Sequence, residues 1–418
     1  MNTRVPKKSP PEVMSNEKPG WVTEIRKYKV ITPLYGGGEE TQKADSITTV
    51  RASEVRGHLR FWWRATRGGQ FDGDLKKMRD AEENIWGSSG EKGKPGPSKV
   101  SVRIINSQKG MLKKDQKKGD RSVHIAHPSA DWSYVAFPLR ESNGSVLEGV
   151  SFELEIRYPD KAKNEVETAL WAWETFGGIG ARTRRGFGAL QNVSSPLFSM
   201  REVQEKIASG ISSYVVDGLW ANGVPHLSRT LRYVIKQDTN AQVAWEHLFK
   251  QLKSFRQQRF PSSGSPFGRS KWSEPDAIRR LPGMTSIAKH SKPRVTVDKF
   301  PRGKFGLPII FKFKDEDGGD PSQTSLEGAE HDRLGSPLIL RPLACSDGAL
   351  GIAVILEWEP INSDEKYTPP NGLTLKSSAQ IYDVKSDLTI AEAEKIEPLN
   401  LKGKPQPDIL QAFLDYLK

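Results

Sequence analysis

The stretch GGIGARTRRGFGAL, residues 177–190, combines closely spaced glycines with three arginines. Such a pattern is typical of loops that bind phosphate groups, so we first compare it with the known nucleotide-binding motifs. A Walker loop is excluded because no Lys-Ser/Thr pair is present in it. A dinucleotide-binding fingerprint needs a third glycine five residues after the first. Thr183 occupies that position counted from Gly178, and Gln191 occupies it counted from Gly186. Neither nucleotide-binding motif is therefore present.

The residues before this loop indicate that it leaves a helix. Val166, Leu170 and Trp173 recur at helical spacing, and Gly177 follows them as a C-cap. A loop at this end of a helix lacks the N-terminus on which the cofactor sites depend. Residues 185–188, RGFG, match the opening of the RNP1 signature, but the aromatic residues that complete it are missing.

What remains is a glycine-rich basic loop. Gly178 and Gly180 let backbone N–H groups approach an anion closely, and Arg182, Arg184 and Arg185 add positive charge. We expect these five residues to bind phosphate groups of a nucleic-acid backbone. The alternative is a solvated basic turn.

The composition favours an anionic partner. The 418 residues carry a formal net charge of +12 at pH 7, with an isoelectric point near 9.5. Nucleic acid is the first candidate and an anionic membrane the second. Hydrophobic residues make up 36% of the chain, and the mean hydropathy of −0.59 is typical of a soluble protein. The apolar run at 349–356 is too short to span a bilayer and predicts a buried strand.

The single cysteine, Cys345, excludes an internal disulfide framework and a cysteine-rich zinc site. We expect its thiol to fill core space. Residues 1–20 are polar and proline-rich, so we expect no secretory signal there. Together these features predict a cytoplasmic protein.

The order of predicted elements indicates an α+β fold. Strands with period-two alternation and helices with apolar spacing follow one another as β, α, β, β, α, β, the order of a ferredoxin-like (RRM-like) unit. Ser53 is the expected cap of the first helix. The predicted elements are 24–35, 53–67, 98–104, 151–158, the helix before Gly177, and 186–193.

A second ferredoxin-like unit is predicted after a helical stretch at 200–260. It contains a strand at 307–313 and a hairpin formed by 337–344 and 349–358. The weak similarity between the segments RGFGAL and RGKFGLPI is consistent with an internal duplication of the chain. The predicted divisions are a disordered tail (1–20), an N-terminal domain with the glycine-rich loop (21–200), a C-terminal domain (201–418), and mobile surface loops at 87–98, 109–121 and 314–332.

A row of arginines lies along one face of the first predicted helix. Arg56, Arg60, Arg64 and Arg67 are spaced four, four and three residues apart. Like charges at this spacing repel by roughly 0.2–0.5 kcal/mol per pair, so an anion should lie against them. That anion is either RNA phosphate, which suits the forked guanidinium, or carboxylates elsewhere in the fold.

The N-terminal part of the chain contains the motifs TPLYGGG (32–38), VRGHLRFWWRA (55–65) and ENIWGSS (83–89), followed by the glycine-rich loop. These motifs resemble the RAMP superfamily, which builds RNA-guided CRISPR effectors. Four further segments are similar to one subgroup, the first RAMP subunit of type III-B (Cmr) complexes. They are RFWWRA (60–65), FGRSKWSEPDAIRR (267–280), FPRGKFGLPIIFKF (300–313) and SPLILRP (336–342).

The resemblance implies two ferredoxin-like domains and a non-catalytic subunit without a cofactor. It implies a position at the head end of the complex, near the 3′ region of the guide RNA, with guide RNA, target RNA and other RAMP subunits as partners. Carried over by motif, the RNA-binding residues are Gly36, Gly37, Gly38, the four helix arginines and the five loop residues, with Arg269, Lys271 and Trp272 less closely matched.

Aromatic residues beside the arginine row offer ring faces on which bases stack. We expect Trp63 in the core, and Trp62 either in the core or at the RNA-binding surface.

Catalysis is the alternative, because some RAMP relatives are metal-independent endoribonucleases that process CRISPR RNA. His58, inside the arginine helix, is the candidate acid–base residue, although a packing or hydrogen-bonding role is the simpler interpretation. His124 and His127 lack a third ligand at a recognisable spacing, so no metal site is predicted. We interpret the chain as a binding protein.

Overall fold

The computed structural model describes residues 19–38, 48–88, 96–262, 268–284, 292–313, 319–329, 332–358, 372–378 and 380–418. The chain is a mixed α+β structure built on several antiparallel sheets, as expected. Its helices are α1 (Ala52–Arg67), α2 (Leu75–Trp86), α3 (Ser133–Ala136), α4 (Leu139–Ser142), α5 (Lys163–Phe176), α6 (Met200–Tyr214), α7 (Ala241–Arg256), α8 (Glu274–Arg280), α9 (Ile390–Glu394) and α10 (Ile409–Leu417).

The strands range from two to ten residues in length. They are β1 (Trp21–Val30), β2 (Leu34–Tyr35), β3 (Ser101–Gln108), β4 (Met111–Lys113), β5 (Asp115–Lys118), β6 (Arg121–His124), β7 (Val146–Glu148), β8 (Ser151–Pro159), β9 (Leu190–Asn192), β10 (Tyr233–Asp238), β11 (Ile309–Phe311), β12 (Thr324–Gly328), β13 (Leu338–Cys345), β14 (Gly348–Ile355), β15 (Leu373–Lys376), β16 (Ile381–Val384), β17 (Asn400–Leu401) and β18 (Lys404–Pro405).

The N-terminal sheet has the strand order β3-β8-β1-β9, and every neighbouring pair is antiparallel. Helix α1 follows β1, and α5 follows β8. Alternate residues of β8 are buried, and α5 buries Val166, Leu170 and Trp173, as their spacing predicts. The last strand is shorter than expected, because residues 186–189 belong to the glycine-rich loop.

The second sheet has the order β10-β14-β13, again antiparallel, with α7 between β10 and β13 in the chain. The predicted hairpin is present as β13 and β14, and its second strand is buried along most of its length. The stretch 200–260 is not wholly helical, because β10 lies between α6 and α7. A further sheet has the order β11-β12-β15-β16. Its strands come before β13 and after β14 in the chain.

Two inserts differ from their prediction as loops. Residues 109–121 contain β4, β5 and the start of β6. Strand β4 pairs with β7, and β5 pairs with β6. The acidic segment 314–332 contains β12, because its apolar Leu326 is fully buried against the third sheet. The predicted tail, apart from residues 19 and 20, and most of the insert at 87–98 lie outside the described residues.

The two main sheets share one hydrophobic core. It joins buried residues of α1, α5 and the N-terminal sheet to Ile339, Leu350 and Ile352 of the second sheet. Arg341 is fully buried in this region and donates to the carbonyl oxygens of Glu174, at 2.7 Å, and Leu190, at 2.8 Å. The glycine-rich loop is therefore held between the two sheets.

Candidate nucleic-acid interface

The two predicted glycine segments meet in space. The Ala181 N–H donates to the carbonyl oxygen of Tyr35 at 2.7 Å, and the Gly188 N–H donates to that of Pro33 at 2.9 Å. Residues 36–38 follow this strand-like stretch directly, so they lie beside the glycine-rich loop.

A carboxylate already occupies the anion position of the loop. The Gly180 N–H donates to Oε1 of Glu54 at 2.7 Å, and Nε2 of His58 lies 3.8 Å from the same oxygen. Arg51 donates to the carbonyl oxygen of Gly37. The predicted role of Gly180 as a phosphate donor is therefore wrong in this structure, because Glu54 from the first turn of α1 takes its N–H group.

Gly178 has a packing role. Its carbonyl oxygen accepts a hydrogen bond from Nε1 of Trp173 at 2.9 Å. A Cβ at this position would lie 2.8 Å from the carbonyl oxygen of Gly188. The glycine is needed because two backbone segments of the loop approach each other here.

Carboxylates neutralise most of the arginine row on α1. Glu82, buried on α2, accepts from Nε of Arg60 at 2.6 Å and from Nη1 of Arg64 at 2.5 Å. Glu165 of α5 accepts from Nη2 of Arg67 at 2.9 Å. The alternative that carboxylates within the fold supply the anion is therefore confirmed for these three residues. Among the described residues, Arg56 has no carboxylate partner, and its Nε is buried without a hydrogen bond.

Both tryptophans assigned to RNA are core residues. Trp62 is 3% exposed and packs on Phe61 and Phe176. Trp272 has no exposed surface, and its Nε1 donates to the carbonyl oxygen of Phe255 at 3.1 Å. Packing covers both rings, which agrees with the core alternative for Trp62 and contradicts the base contact predicted for Trp272.

The neighbours of Trp272 are also paired within the chain. Arg269 forms an ion pair with Asp276 and donates to the carbonyl oxygen of Lys292 at 2.8 Å. Lys271 forms an ion pair with Glu397. Their charge is balanced, so they are weaker phosphate candidates than the sequence indicated.

The loop arginines point toward the C-terminal half. Nη1 of Arg184 donates to the carbonyl oxygen of Ser336 at 2.5 Å. Arg185 donates to the carbonyl oxygens of Leu338, at 3.1 Å, and Phe305, at 3.2 Å. These bonds provide hydrogen-bond acceptors for Arg184 and Arg185, but neither side chain has a carboxylate partner within the described parts of the chain.

Arg182 differs from the other two loop arginines. Its guanidinium carbon lies 5.2 Å from the ring centroid of Phe137 and 5.9 Å from that of Tyr35. Its Nε is buried without a hydrogen-bond partner. Burial lowers the pKa of Arg182, since the charged form loses water, although Tyr35 partly offsets this effect.

Arg182 and Arg185 line a cleft of about 920 Å³ between the glycine-rich loop, α3, α4, the end of α7 and the segment before β11. We call it the basic cleft. Among the described residues, no aspartate or glutamate lines it. Desolvation by burial lowers the pKa of Arg185 to about 9, and neighbouring arginines add to this shift. Its six cationic lining residues are Arg140, Arg182, Arg185, Lys253, Arg256 and Arg333.

Sequence reasoning missed most of the basic cleft. Phe137, Tyr134 and Arg256 come from segments with no binding motif, and Nη1 of Arg256 donates to the Tyr134 hydroxyl at 3.1 Å. Beyond the loop arginines, the sequence contained one indication of the cleft, the similarity between the segments RGFGAL and RGKFGLPI. Phe305 of the second segment also lines the cleft. The other lining residues are separated widely in the chain and meet only through folding.

The described residues give no sign of a metal site, since they contain no group of three His, Cys, Asp or Glu side chains suited to hold one. His124 Nε2 lies 2.8 Å from the carbonyl oxygen of Gly144, and His127 Nδ1 lies 2.7 Å from the Ser129 hydroxyl. Within the same ranges, no helix has the length and apolar character needed to cross a membrane.

Comparison with known proteins shows what this part of the chain resembles. Residues 27–191, from β1 to β9, match the family model of the RAMP superfamily. This part of the chain is therefore similar to RAMP proteins.

The particular relatives to which part of the chain is similar are Cmr1 subunits of CRISPR systems. It is 28% identical to Cmr subunit Cmr1-1 of Pyrococcus furiosus over 149 residues, which are 34% of this chain and 40% of that protein. It is 25% identical to Cmr1-2 of the same organism over 179 residues, which are 39% of this chain and 91% of that protein. The match thus spans less than half of the first relative's length.

Solved structures give similar matches. The apo crystal structure of Cmr1 from Pyrococcus furiosus aligns over 87% of this chain and 99% of its own, with a TM-score of 0.46 and 12% identity. A chain of the type III-B Cmr-beta complex bound to cognate target RNA aligns over 82% of this chain and 96% of its own, with a TM-score of 0.47 and 14% identity.

Substitution of Gly188 tests the close backbone approach in the glycine-rich loop. A Cβ there would overlap the carbonyl oxygen of Ile179. We expect Gly188→Ala to lower the free energy of unfolding by about 3 kcal/mol or more, from steric overlap and positive φ together. Gly119→Ala is the matched control, since φ is +64° at Gly188 and +60° at Gly119, where a Cβ meets open space. Chemical denaturation measures both, and equal losses would contradict the steric explanation.

The paired helix arginines should stabilise the fold. Arg60→Ala with Arg64→Ala leaves the Glu82 carboxylate buried without its partners. We expect the free energy of unfolding to fall by about 1–3 kcal/mol, measured by urea denaturation. Adding Glu82→Gln should recover part of the loss, because the unpaired charge is removed. No recovery would show that these residues act through something other than this ion-pair cluster.

Proposed function

We propose that this protein is a non-catalytic RNA-binding subunit of a type III-B CRISPR effector complex, and that RNA phosphates bind in the basic cleft. The observation that carries this proposal is the set of six cationic residues without a lining carboxylate. Buried positive charge is costly unless an anion compensates it. A phosphate backbone supplies such anions, and forked guanidinium groups bind its oxygens in pairs.

The position within the complex follows from the resemblance to the first RAMP subunit. We propose that the chain lies at the head end, near the 3′ region of the guide RNA, in the cytoplasm. Its partners are guide RNA, target RNA and other RAMP subunits. A chain with a net charge of +12 attracts such RNA before contact is made.

We also propose that both halves are ferredoxin-like domains, with limits of 21–200 and 201–418. The N-terminal sheet order β3-β8-β1-β9, with α1 and α5 as crossovers, supports the first. The order β10-β14-β13 with α7 repeats three of the four strands and supports the second. The described residues include no fourth strand in that sheet.

Removing two cleft arginines tests the RNA-binding proposal. Each phosphate contact to a single strand contributes roughly −0.7 to the slope of log K against log salt. We expect Arg182→Ala with Arg256→Ala to flatten that slope by about 1.4. The melting temperature is measured beside it, because Arg256 also donates to the Tyr134 hydroxyl and its loss affects stability as well. RNA affinity is measured by fluorescence anisotropy across a salt series.

The control removes the same net charge elsewhere. Arg103 and Arg201 are exposed and pair with Glu155 and Glu205 outside the basic cleft. Arg103→Ala with Arg201→Ala should leave the salt slope close to that of the wild type. Equal flattening in both double variants would assign the effect to net charge and remove the cleft from the proposal.

The isolated protein should not cleave single-stranded RNA, with or without divalent metal. Its best acid–base candidate, His58, lies beside the Glu54 carboxylate and stacks 6.5 Å from the Trp173 ring, which fits a packing role. Incubation with repeat RNA in EDTA, followed by gel analysis, checks this. A discrete product that His58→Ala abolishes would favour a stand-alone processing endoribonuclease instead.

Co-expression with the other RAMP subunits should yield a complex that contains this chain, because a head-end subunit presents surfaces to its neighbours. Affinity purification with RNA sequencing of the bound material measures partners and RNA together. Assembly of the other subunits without this chain, with unchanged affinity for target RNA, would contradict the proposal.

A further inference from the structure

Phe137 lines the basic cleft with an exposed aromatic side chain, and the backbone on either side of it is well packed. Its side chain is 56% exposed, although Ala136 and Leu139 beside it are completely buried. Helices α3 and α4 flank it, and Nε of Arg140 ties α4 to the carbonyl oxygen of Ala126 at 2.9 Å. The ring is therefore presented to solvent by backbone that is fixed on both sides.

The surroundings of Phe137 combine charge and apolar surface. The Arg182 guanidinium lies over the Phe137 ring, 5.2 Å from its centroid, and its Nε has no hydrogen-bond partner among the described residues. Ile310, 54% exposed, lines the same cleft. An arginine beside an exposed aromatic ring is the pairing that binds a phosphate and its adjoining base together.

We propose that Phe137 stacks on the base of an unpaired nucleotide whose adjoining phosphate is bound by Arg182, so that the basic cleft takes single-stranded RNA. This inference rests on the proposed function and adds the class of RNA. In a duplex, both faces of each base are covered by neighbouring base pairs. In a single strand, a base can turn out of the stack and offer its face to the ring, whatever its identity.

The test compares Phe137→Ala with wild type on a short single-stranded RNA of mixed sequence and on a blunt duplex of equal length. Loss of one stacking contact should weaken single-strand binding by about 5- to 100-fold and leave the salt slope unchanged. Duplex binding should not change. Phe137→Trp, which keeps a ring, should retain single-strand affinity, and an abasic RNA should bind the wild type and Phe137→Ala equally.

The matched control is Phe198→Ala. Phe198 is also partly exposed, at 38%, and carries the Lys206 ammonium 4.1 Å from its ring centroid, but it does not line the basic cleft. Its removal should leave RNA affinity unchanged. An equal loss in both alanine variants would overturn the assignment to Phe137.

The outcomes separate the two proposals. If Phe137→Ala binds single strands like the wild type while Arg182→Ala with Arg256→Ala flattens the salt slope, stacking is overturned and the RNA-binding cleft stands. If neither variant changes binding, the cleft itself is overturned, and stacking with it. If Phe137→Ala weakens single-strand and duplex binding equally, the single-strand assignment is overturned.

Discussion

The approach of the Gly188 backbone to the carbonyl group of Ile179 is the constraint on which the rest of this structure depends. Only a residue without a Cβ fits there. The tight turn lets the loop bond to both halves of the chain. On one side Gly188 donates to Pro33. On the other, Nε1 of Trp245 in α7 donates to the carbonyl oxygen of Arg185 at 2.7 Å.

The same geometry produces the charge of the basic cleft. Because the loop is held between two sheets, its arginines lose water without gaining a carboxylate from the residues that the structure describes, and burial lowers the pKa of each. Arg184 and Arg185 recover backbone carbonyl partners from the C-terminal half. The helix arginines have the opposite environment, since Glu82 and Glu165 face them. The sequence indicated both sets of arginines as phosphate-binding residues, but the structure gives them different electrostatic environments.

Motif and periodicity were sufficient for the local elements. Val166, Leu170 and Trp173 lie at core spacing on α5, and the run at 349–356 forms most of a buried strand. They were insufficient for the lysine-rich insert at 109–121, which forms strands because β7 offers an edge to pair with. A strand partner distant in sequence overrides local polarity.

By itself the sequence indicated a resemblance to the RAMP superfamily, a glycine-rich basic loop and an excess of positive charge. Glycine positions and apolar spacing are local properties, so they can be recognised without the fold. Only the tertiary structure decided which arginines form ion pairs within the chain, because these pairs depend on carboxylates that are distant in sequence. It also decided that Trp62 and Trp272 are core residues while Phe137 is exposed. Burial depends on what packs above a side chain, and residue type alone does not fix it.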